Sequence, residues 1–293
     1  MAECHPVGFQ WVMEAKARGA KVIHIDPRFT RTSAVADTHV PIRAGSDIVF
    51  LGAVINYILS NDKYFHDYVV AYTNAATLVS EDFVDVDDLD GVFSGYDPET
   101  GTYDTSSWSY EGMGEHSAGG GPASDPSTGS GTGTGASGTS DEGEESESDR
   151  GAGHELGGHG ASLDHAEVKR DETLQHPRTV FQVLKRHFAR YTPEMVQETC
   201  GISPEQLLEV CEAVTENSGR DRTTCWVYSV GWTHHTVGVQ MIRTSAIVQL
   251  LLGNMGRPGG GILALRGHAS IQGSTDIPTL FNLLPGYLPM PKA

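Results

Sequence analysis

Cysteine is scarce in this chain, and the four cysteines are widely spaced. They occupy positions 4, 200, 211 and 225, so no Cys-x-x-Cys pair is present. Structural zinc and iron–sulfur sites need closely spaced thiolate ligands. A chain of 293 residues can also bury a core without disulfide staples. The sequence therefore predicts neither a metal knuckle nor a disulfide framework.

Basic residues are few as well. The chain has 20 Lys and Arg residues against 38 Asp and Glu, a formal net charge of −18 and a pI near 5.0. Binding to nucleic acid phosphates or to an acidic lipid surface depends on positive charge, so we expect neither. Only six lysines are present, and this acidic, lysine-poor composition is halophilic in type.

Long apolar runs and a leader-like start are also missing. The most apolar stretch, residues 242–252, is shorter than the roughly 20 residues of a membrane helix, and Arg243, Ser245 and Gln249 interrupt it. The first residues have neither a basic n-region nor an apolar h-region, so no export signal is predicted.

The middle of the chain has an unusual composition. Residues 111–172 contain 14 acidic residues, three basic residues and 16 of the 35 glycines, and they have almost no branched aliphatic side chains. Such a segment cannot bury enough apolar surface to offset the entropy lost on ordering. We expect 111–168 to be a disordered Gly/Ser/acidic insert between two α/β parts, 1–110 and 169–293.

The two flanking parts alternate helical and strand patterns. Residues 8–18 and 48–59 have helical spacing, and 21–25 and 39–43 are strand-like. After the insert, helices are predicted at 177–190, from 193, from 203 with a capping box, and at 237–252, with a buried strand at 223–230. This order predicts an α/β fold with doubly wound, mostly parallel sheets and a ligand crevice at the strand carboxyl ends.

Polar loops follow the predicted strands, and their side chains suggest the ligand. Asp26, Arg28, Asp47 and Arg266 stand in glycine- and hydroxyl-rich loops, where arginine suits a pyrophosphate and a carboxylate suits ribose or a guanine edge. The chain lacks a P-loop and a Gly-x-Gly-x-x-Gly turn between a strand and a helix. The residues alone thus indicate a large nucleotide-like ligand, without the usual ATP or nicotinamide motifs.

Five motifs carry a more specific resemblance. They resemble the catalytic (alpha) subunit of respiratory formate dehydrogenase, in the molybdopterin oxidoreductase family, and lie at 2–9, 26–32, 231–238, 253–256 and 265–268. The similarity runs to about residue 110 and resumes at 169. It implies an internal fragment, with a [4Fe–4S] cluster and the metal-ligating cysteine or selenocysteine upstream and further domains downstream.

The resemblance implies a bis-molybdopterin guanine dinucleotide cofactor with molybdenum or tungsten. Asp26, Arg28 and Asp47 are expected to contact a guanosine diphosphate arm, although helix N-capping is the alternative for both aspartates. The remaining expected cofactor-binding residues are Glu3, His5, Gly45, Gly231, Trp232, His235, Gln240 and Asn254. No residue of this chain is predicted to ligate the metal, and Cys4 is interpreted as a small loop residue.

The resemblance also assigns the substrate residues. Arg266 is expected to hold formate through its planar guanidinium fork, and His268 to position formate or take up the released proton. The alternatives are an arginine on pterin phosphate and a histidine that only supports the loop.

The implied function is oxidation of formate to CO2. Electrons would pass to an iron–sulfur subunit and a membrane quinone-reducing subunit, in a complex often on the outer face of the cytoplasmic membrane. The other parts of the same subunit are further partners, and the chain alone is expected to be inactive. A noncatalytic nucleotide-binding remnant and another molybdopterin oxidoreductase, such as a nitrate reductase, are the alternatives.

Overall fold

The computed structural model describes residues 1–113 and 168–267, together with the backbone of two short strands at 283–284 and 288–289. Most of the predicted acidic insert, residues 114–167, lies outside the described residues, and so does His268. The described part divides into two compact units. The first comprises Met1–Ala76 and Val180–Ala293, and the second comprises Thr77–Thr179.

Nine α-helices and eight strands are numbered here in chain order. The helices are α1 Pro6–Ala17, α2 Arg31–Val35, α3 Asp47–Ser60, α4 His66–Tyr72, α5 Val180–Phe188, α6 Pro193–Cys200, α7 Pro204–Glu216, α8 Val230–Thr233 and α9 Gly238–Leu251. The strands are β1 Ile23–Ile25, β2 Thr38–Val40, β3 Tyr96–Asp97, β4 Thr102–Tyr103, β5 Cys225–Tyr228, β6 Gly261–Ala264, β7 Leu283–Leu284 and β8 Leu288–Pro289. No helix among the described residues has the length and apolar character needed to cross a bilayer.

Two parallel strand pairs form the α/β framework of the first unit. β1 pairs with β2 after a connection through α2, and β5 pairs with β6 after a connection through α8 and α9. Each pair is a βαβ arrangement, so the predicted α/β class with parallel strand pairing is present, although each described sheet has only two strands. Strand β6 was not predicted, because its Gly-Ile-Leu-Ala segment follows a glycine-rich loop without strand-like alternation.

Helix α3 is the centre of the first unit's core. Its apolar residues cover most of its circumference and are buried against α9, α6, α5 and α7, and they include Phe50, Leu51, Val54, Ile55, Ile58 and Leu59. A helix that is apolar all round is typical of a buried position. Gly52 lets Tyr191 pack directly on the helix, since a Cβ at this position would lie 2.7 Å from the tyrosine ring.

The local end signals of the helices were predicted correctly. In α7, Ser203 Oγ accepts from Gln206 N and Gln206 Oε1 accepts from Ser203 N, which is the predicted capping box. Helix α1 ends before Gly19, whose φ of +99° suits glycine. Such end signals depend only on neighbouring residues, which explains why the sequence contains them.

The strand predicted within 223–230 is present as β5, but the prediction that it is buried was wrong. Cys225 is exposed and Val227 is 42% exposed on one face of β5, while Trp226 and Tyr228 on the other face are half-buried. Leu263, the register partner of Val227 on β6, is also exposed. Composition indicated an apolar strand, but it cannot tell whether one face or both faces of a sheet are covered.

The second unit contains the β3–β4 hairpin and a group of ion pairs. Arg178 pairs with both Glu81 and Glu111, and Lys169 also pairs with Glu111. Lys169 N donates to Glu111 O at 2.9 Å. Residues 111 and 169, on either side of most of the predicted insert, are therefore hydrogen-bonded to each other.

Candidate cofactor site

The loops after β5 and β6 leave the sheet side by side. Leu265 N donates to Tyr228 O at 2.8 Å, and Ser229 Oγ donates to Leu265 O at 3.1 Å. These bonds hold the start of α8 next to the segment that carries Arg266. Parallel strands share one carboxyl edge, so these two loops lie together at the carboxyl edge of the β5–β6 pair.

Asp47 and Trp232 meet at this edge although they lie 185 residues apart in the sequence. The indole Nε1 of Trp232 donates to Asp47 Oδ1 at 3.0 Å. Asp47 is the first residue of α3, and Ser46 is the N-cap residue without a side-chain capping bond. Asp47 Oδ2 accepts no hydrogen bond from the described residues. The structure thus gives Asp47 a partner other than the helix N-terminus.

Gly45 and His235 lie next to this pair. Gly45 has a φ of +84°, and the imidazole of His235 lies 3.8 Å from the point a Cβ at Gly45 would occupy. Four residues predicted to bind the cofactor, Gly45, Asp47, Trp232 and His235, therefore come together from two distant segments. Gly231, also predicted, precedes Trp232 in α8 and is exposed.

Two aromatic side chains of β5 complete this group, and the sequence analysis did not select either. Tyr228 stacks on Trp232 with ring centroids 5.1 Å apart, and Trp226 lies 6.4 Å from Trp232. The buried Trp226 Nε1 has no hydrogen-bond partner in the described structure, and such unpaired groups are uncommon in folded proteins. The available signal was the two-residue spacing of 226 and 228, which places both side chains on one face of a strand.

Asp26 lies at the carboxyl end of β1. Its Oδ1 accepts from Arg28 N at 2.8 Å, and its backbone oxygen lies 3.0 Å from His39 Nε2. Helix α2 begins later and is capped by Thr30. Asp26 therefore orders its own loop instead of capping a helix. The Arg28 side chain is exposed.

His24 contacts the same region from the middle of β1. Its Nδ1 lies 2.8 Å from Ser33 Oγ, its ring stacks on His39 at 5.7 Å, and its Nε2 lies 3.8 Å from Asp26 Oδ2. Burial lowers the pKa of His24, and the charge of Asp26 opposes part of that shift. The sequence analysis treated this histidine only as part of a strand.

Glu3 and His5 lie near the start of the chain, next to α1 and α2. Glu3 Oε1 is 3.5 Å from Arg31 Nε, and the amino group of Met1 donates to Thr32 Oγ1. His5 is the N-cap residue of α1 but makes no side-chain capping bond. These contacts hold the 1–5 segment against α2 in the first unit.

Asn254 is positioned differently from the other predicted residues. It is fully buried, its Nδ2 donates to Ser218 Oγ and Gln249 Oε1, both at 2.9 Å, and its Oδ1 accepts from Thr224 N at 3.3 Å. Its amide is therefore engaged inside the protein. Gln240 is exposed in the first turn of α9.

Arg266 is exposed two residues beyond β6, and its side chain has no hydrogen-bond or ion-pair partner among the described residues. Within residues 1–113 and 168–267, no three His, Cys, Asp or Glu side chains lie close enough to hold a metal ion.

Comparison with known proteins gives these residues a context. The chain is 46% identical to the formate dehydrogenase-O major subunit of Escherichia coli (strain K12) over 99% of its own length. It is 43% identical to formate dehydrogenase 2 subunit alpha (cytochrome c-553) of Nitratidesulfovibrio vulgaris over its full length. This chain is homologous to part of the formate dehydrogenase major subunit. The predicted resemblance is therefore confirmed.

The chain spans about a quarter of the length of these formate dehydrogenase relatives, 24% in both cases. A second Escherichia coli relative, the major subunit of the nitrate-inducible formate dehydrogenase, is 45% identical over 99% of this chain. No protein-family model matches the chain.

Proposed function

We propose that the chain forms part of the catalytic subunit of a formate dehydrogenase. In this proposal it binds a guanosine diphosphate arm of bis-molybdopterin guanine dinucleotide. The observation that carries the proposal is the meeting of Asp47 and Trp232 beside Gly45 and His235. The similarity to formate dehydrogenase major subunits over nearly the whole chain supports it.

The chemistry of this group fits a guanosine arm. A carboxylate has about four acceptor positions on its two oxygens, and Trp232 uses one of them on Asp47. The edge of guanine offers N–H donors to the remaining positions. Gly45 has no side chain and a positive φ, so the backbone beside Asp47 can approach a ligand closely.

Other residues of the first unit have supporting roles in this proposal. The exposed guanidinium of Arg28, next to the ordered carboxylate of Asp26, suits a diphosphate. Glu3, His5, Gly231 and Gln240 are proposed as further lining of the cofactor pocket. Asn254 is proposed to act indirectly, by fixing the glycine-rich loop that leads to β6.

The substrate residues follow the cofactor. When bound, the molybdenum or tungsten centre would accept the two electrons that formate loses. Arg266 emerges at the carboxyl end of β6 with an exposed guanidinium, whose paired N–H donors match the two oxygens of formate and fix its orientation. His268, outside the described residues, is proposed to position formate or take up the proton.

The wider assembly is proposed from the family. Electrons leave through a [4Fe–4S] cluster elsewhere in the same subunit, then through an iron–sulfur subunit and a quinone-reducing membrane subunit. A site on the outer face of the cytoplasmic membrane fits this arrangement. We also propose that the two parallel strand pairs belong to doubly wound sheets, that 1–110 carries cofactor-binding loops, that 111–168 is the acidic insert, and that 169–293 carries further cofactor and formate-site loops.

The test of this function is the variant Arg266→Lys in the protein purified with its natural partners. Lysine keeps the charge but loses the planar two-point contact, so kcat/KM for formate should fall on the order of 10²-fold, while metal and pterin content stay normal. Formate-dependent dye reduction and metal analysis measure the two quantities.

Arg243→Lys provides the matched control, because Arg243 is exposed on α9 and has no partner among the described residues. It should leave both readouts unchanged. Parallel loss of metal and activity in Arg266→Lys would contradict the substrate role and assign Arg266 to a cofactor phosphate. Wild-type protein with neither pterin nor formate oxidation would contradict the proposed function.

A further inference from the structure

The indole of Trp232 is held in place independently of Asp47. Trp232 belongs to α8, a single helical turn that follows β5 directly. Tyr228, the last residue of β5, stacks on the indole with an interplanar angle of 21°. The register Tyr228↔Ala264 fixes this part of β5 against β6. The sheet and the stacked rings therefore determine where the indole N–H can donate.

Asp47, in contrast, has a competing set of donors. It begins α3, whose first two N–H groups, those of Asp47 and Ile48, have no acceptor in the helix itself, whereas Val49 N donates to Ser46 O at 3.0 Å. Ser46, the N-cap residue, directs its hydroxyl to Arg43 O at 2.6 Å and leaves those N–H groups without a side-chain cap. A carboxylate in the first turn is attracted to such a helix end. The hydrogen bond from Trp232 instead turns one carboxylate oxygen towards α8.

We propose that Trp232 is a positioning residue that acts through Asp47. Its indole N–H holds the Asp47 carboxylate away from the N-terminus of α3, so that the remaining acceptor positions are available to the guanosine arm. This inference rests on the proposed function. It adds that the aromatic residues of β5 set the geometry of guanosine binding through Trp232, without contacting the reacting centre.

The experiment measures retention of guanine nucleotide in the purified holoenzyme. Trp232→Phe keeps an aromatic ring to stack on Tyr228 but removes the donor to Asp47. Loss of one hydrogen bond to a charged group should make release of the guanosine-bearing cofactor about tenfold faster. The readout is GMP freed by acid hydrolysis from the protein that remains loaded after timed incubation. It does not depend on turnover.

Trp108→Phe is the matched control. Trp108 Nε1 donates to Ser94 O at 2.8 Å in the second unit, so this variant also loses one indole hydrogen bond, but not one at the candidate site. It should release GMP at the wild-type rate. Equal acceleration in both variants would indicate a general structural effect and overturn the inference.

A double variant distinguishes positioning from a separate contribution. Asp47→Asn keeps an acceptor for the indole but loses the charge that favours the guanine edge. If Trp232 acts only through Asp47, adding Trp232→Phe to Asp47→Asn should change the release rate less than twofold. Multiplicative effects, or wild-type retention in Trp232→Phe, would overturn the inference. Wild-type protein that releases no GMP at all would instead contradict the proposed function.

Discussion

Asn254 was predicted to bind the cofactor, but in the structure it is a buried residue of the core. Its place in a glycine-rich loop made it a candidate for lining the cofactor pocket. Both ends of its side-chain amide are hydrogen-bonded, the oxygen to Thr224 and the nitrogen to Ser218 and Gln249. An asparagine in a loop has the same sequence signature in both situations, because side-chain burial depends on elements far along the chain.

We expect Asn254→Ala to lower the free energy of unfolding by about 2–4 kcal/mol, since buried polar partners lose their hydrogen bonds. Urea denaturation followed by circular dichroism measures this. Asn61→Ala is the control: Asn61 is exposed and bonds only Tyr57 O, so its effect should be about 0.5 kcal/mol or less. Equal effects in the two variants would contradict the core role of Asn254.

Asp47 and Trp232 were also predicted to bind the cofactor, and unlike Asn254 they lie together at the candidate site. Asp47 was selected for its place in a polar loop after a predicted strand and Trp232 through the family resemblance, and the structure brings them within hydrogen-bond distance. The bond itself could not be predicted, because it depends on how α8 turns after β5. Tyr228 and Trp226 were missed for a related reason. In a strand thought to be buried on both sides, alternation of aromatic residues gives no sign of a functional face.

At the scale of elements, the β1–β2 pair carries two adjacent histidine side chains on one face. His24 and His39 are register partners on adjacent parallel strands, and their rings are stacked. The group next to them that opposes their charge is Asp26, while the chain's amino terminus adds positive charge to the surroundings of His24. Adjacent imidazoles repel each other when both are protonated. This pair therefore links the stability of β1–β2 to pH.

The direction of the pH dependence follows from His24. Burial lowers the pKa of His24 below its usual 6.5, so between that lowered pKa and 6.5 the unfolded chain binds a proton that the folded chain does not. Stability is thus expected to fall as the pH drops below about 6.5. Thermal melts at pH 7.5 and 5.5 should show a smaller pH effect in His24→Gln than in the wild type.

The exposed residue His66, on α4, supplies the comparison for this prediction. His66→Gln should keep the wild-type difference between the two melting temperatures. A His24→Gln variant with an undiminished difference would show that other groups account for the pH dependence.

Six of the nine described helices, and the strands β1, β2 and β5, could be predicted because their signals are local. The short helices α2, α4 and α8 were not predicted. The helical spacing and the glycine after α1 involve only residues close together in the sequence. The same is true of the capping box of α7. The pairing of β5 with β6 is different, since β6 lies 33 residues after β5 ends, beyond α8 and α9. Only the folded chain shows that the segment before Arg266 is a strand.

At the scale of the whole molecule, the four cysteines differ in solvent exposure. Cys4 and Cys225 are exposed, whereas Cys200 and Cys211 are buried. Burial raises the pKa of Cys211 to about 12 and also raises the pKa of Cys200. Because the thiolate is the reactive form, both buried groups are poor nucleophiles in the folded chain.

We therefore expect two of the four thiols to react with a disulfide reagent in the native protein, and all four in denaturant. Absorbance of the released thiolate counts the reacting groups. Cys4→Ser should remove one fast-reacting equivalent, and Cys225→Ser should remove a slower one, because partial burial also raises the pKa of the exposed residue Cys225. Fast reaction of all four thiols in native conditions would contradict the burial of α6 and α7 against α3.

The contacts between Glu111 and Lys169 indicate where an extra domain could be inserted into this chain. The two residues are joined through their backbones and through their side chains, so positions 111 and 169 are neighbours within the second unit. Closing a longer loop costs little, about 0.6 kcal/mol for each doubling of its length. A fluorescent domain inserted between these two positions should therefore lower the stability of the second unit only slightly, which a comparison of melting temperatures with and without the insertion would check.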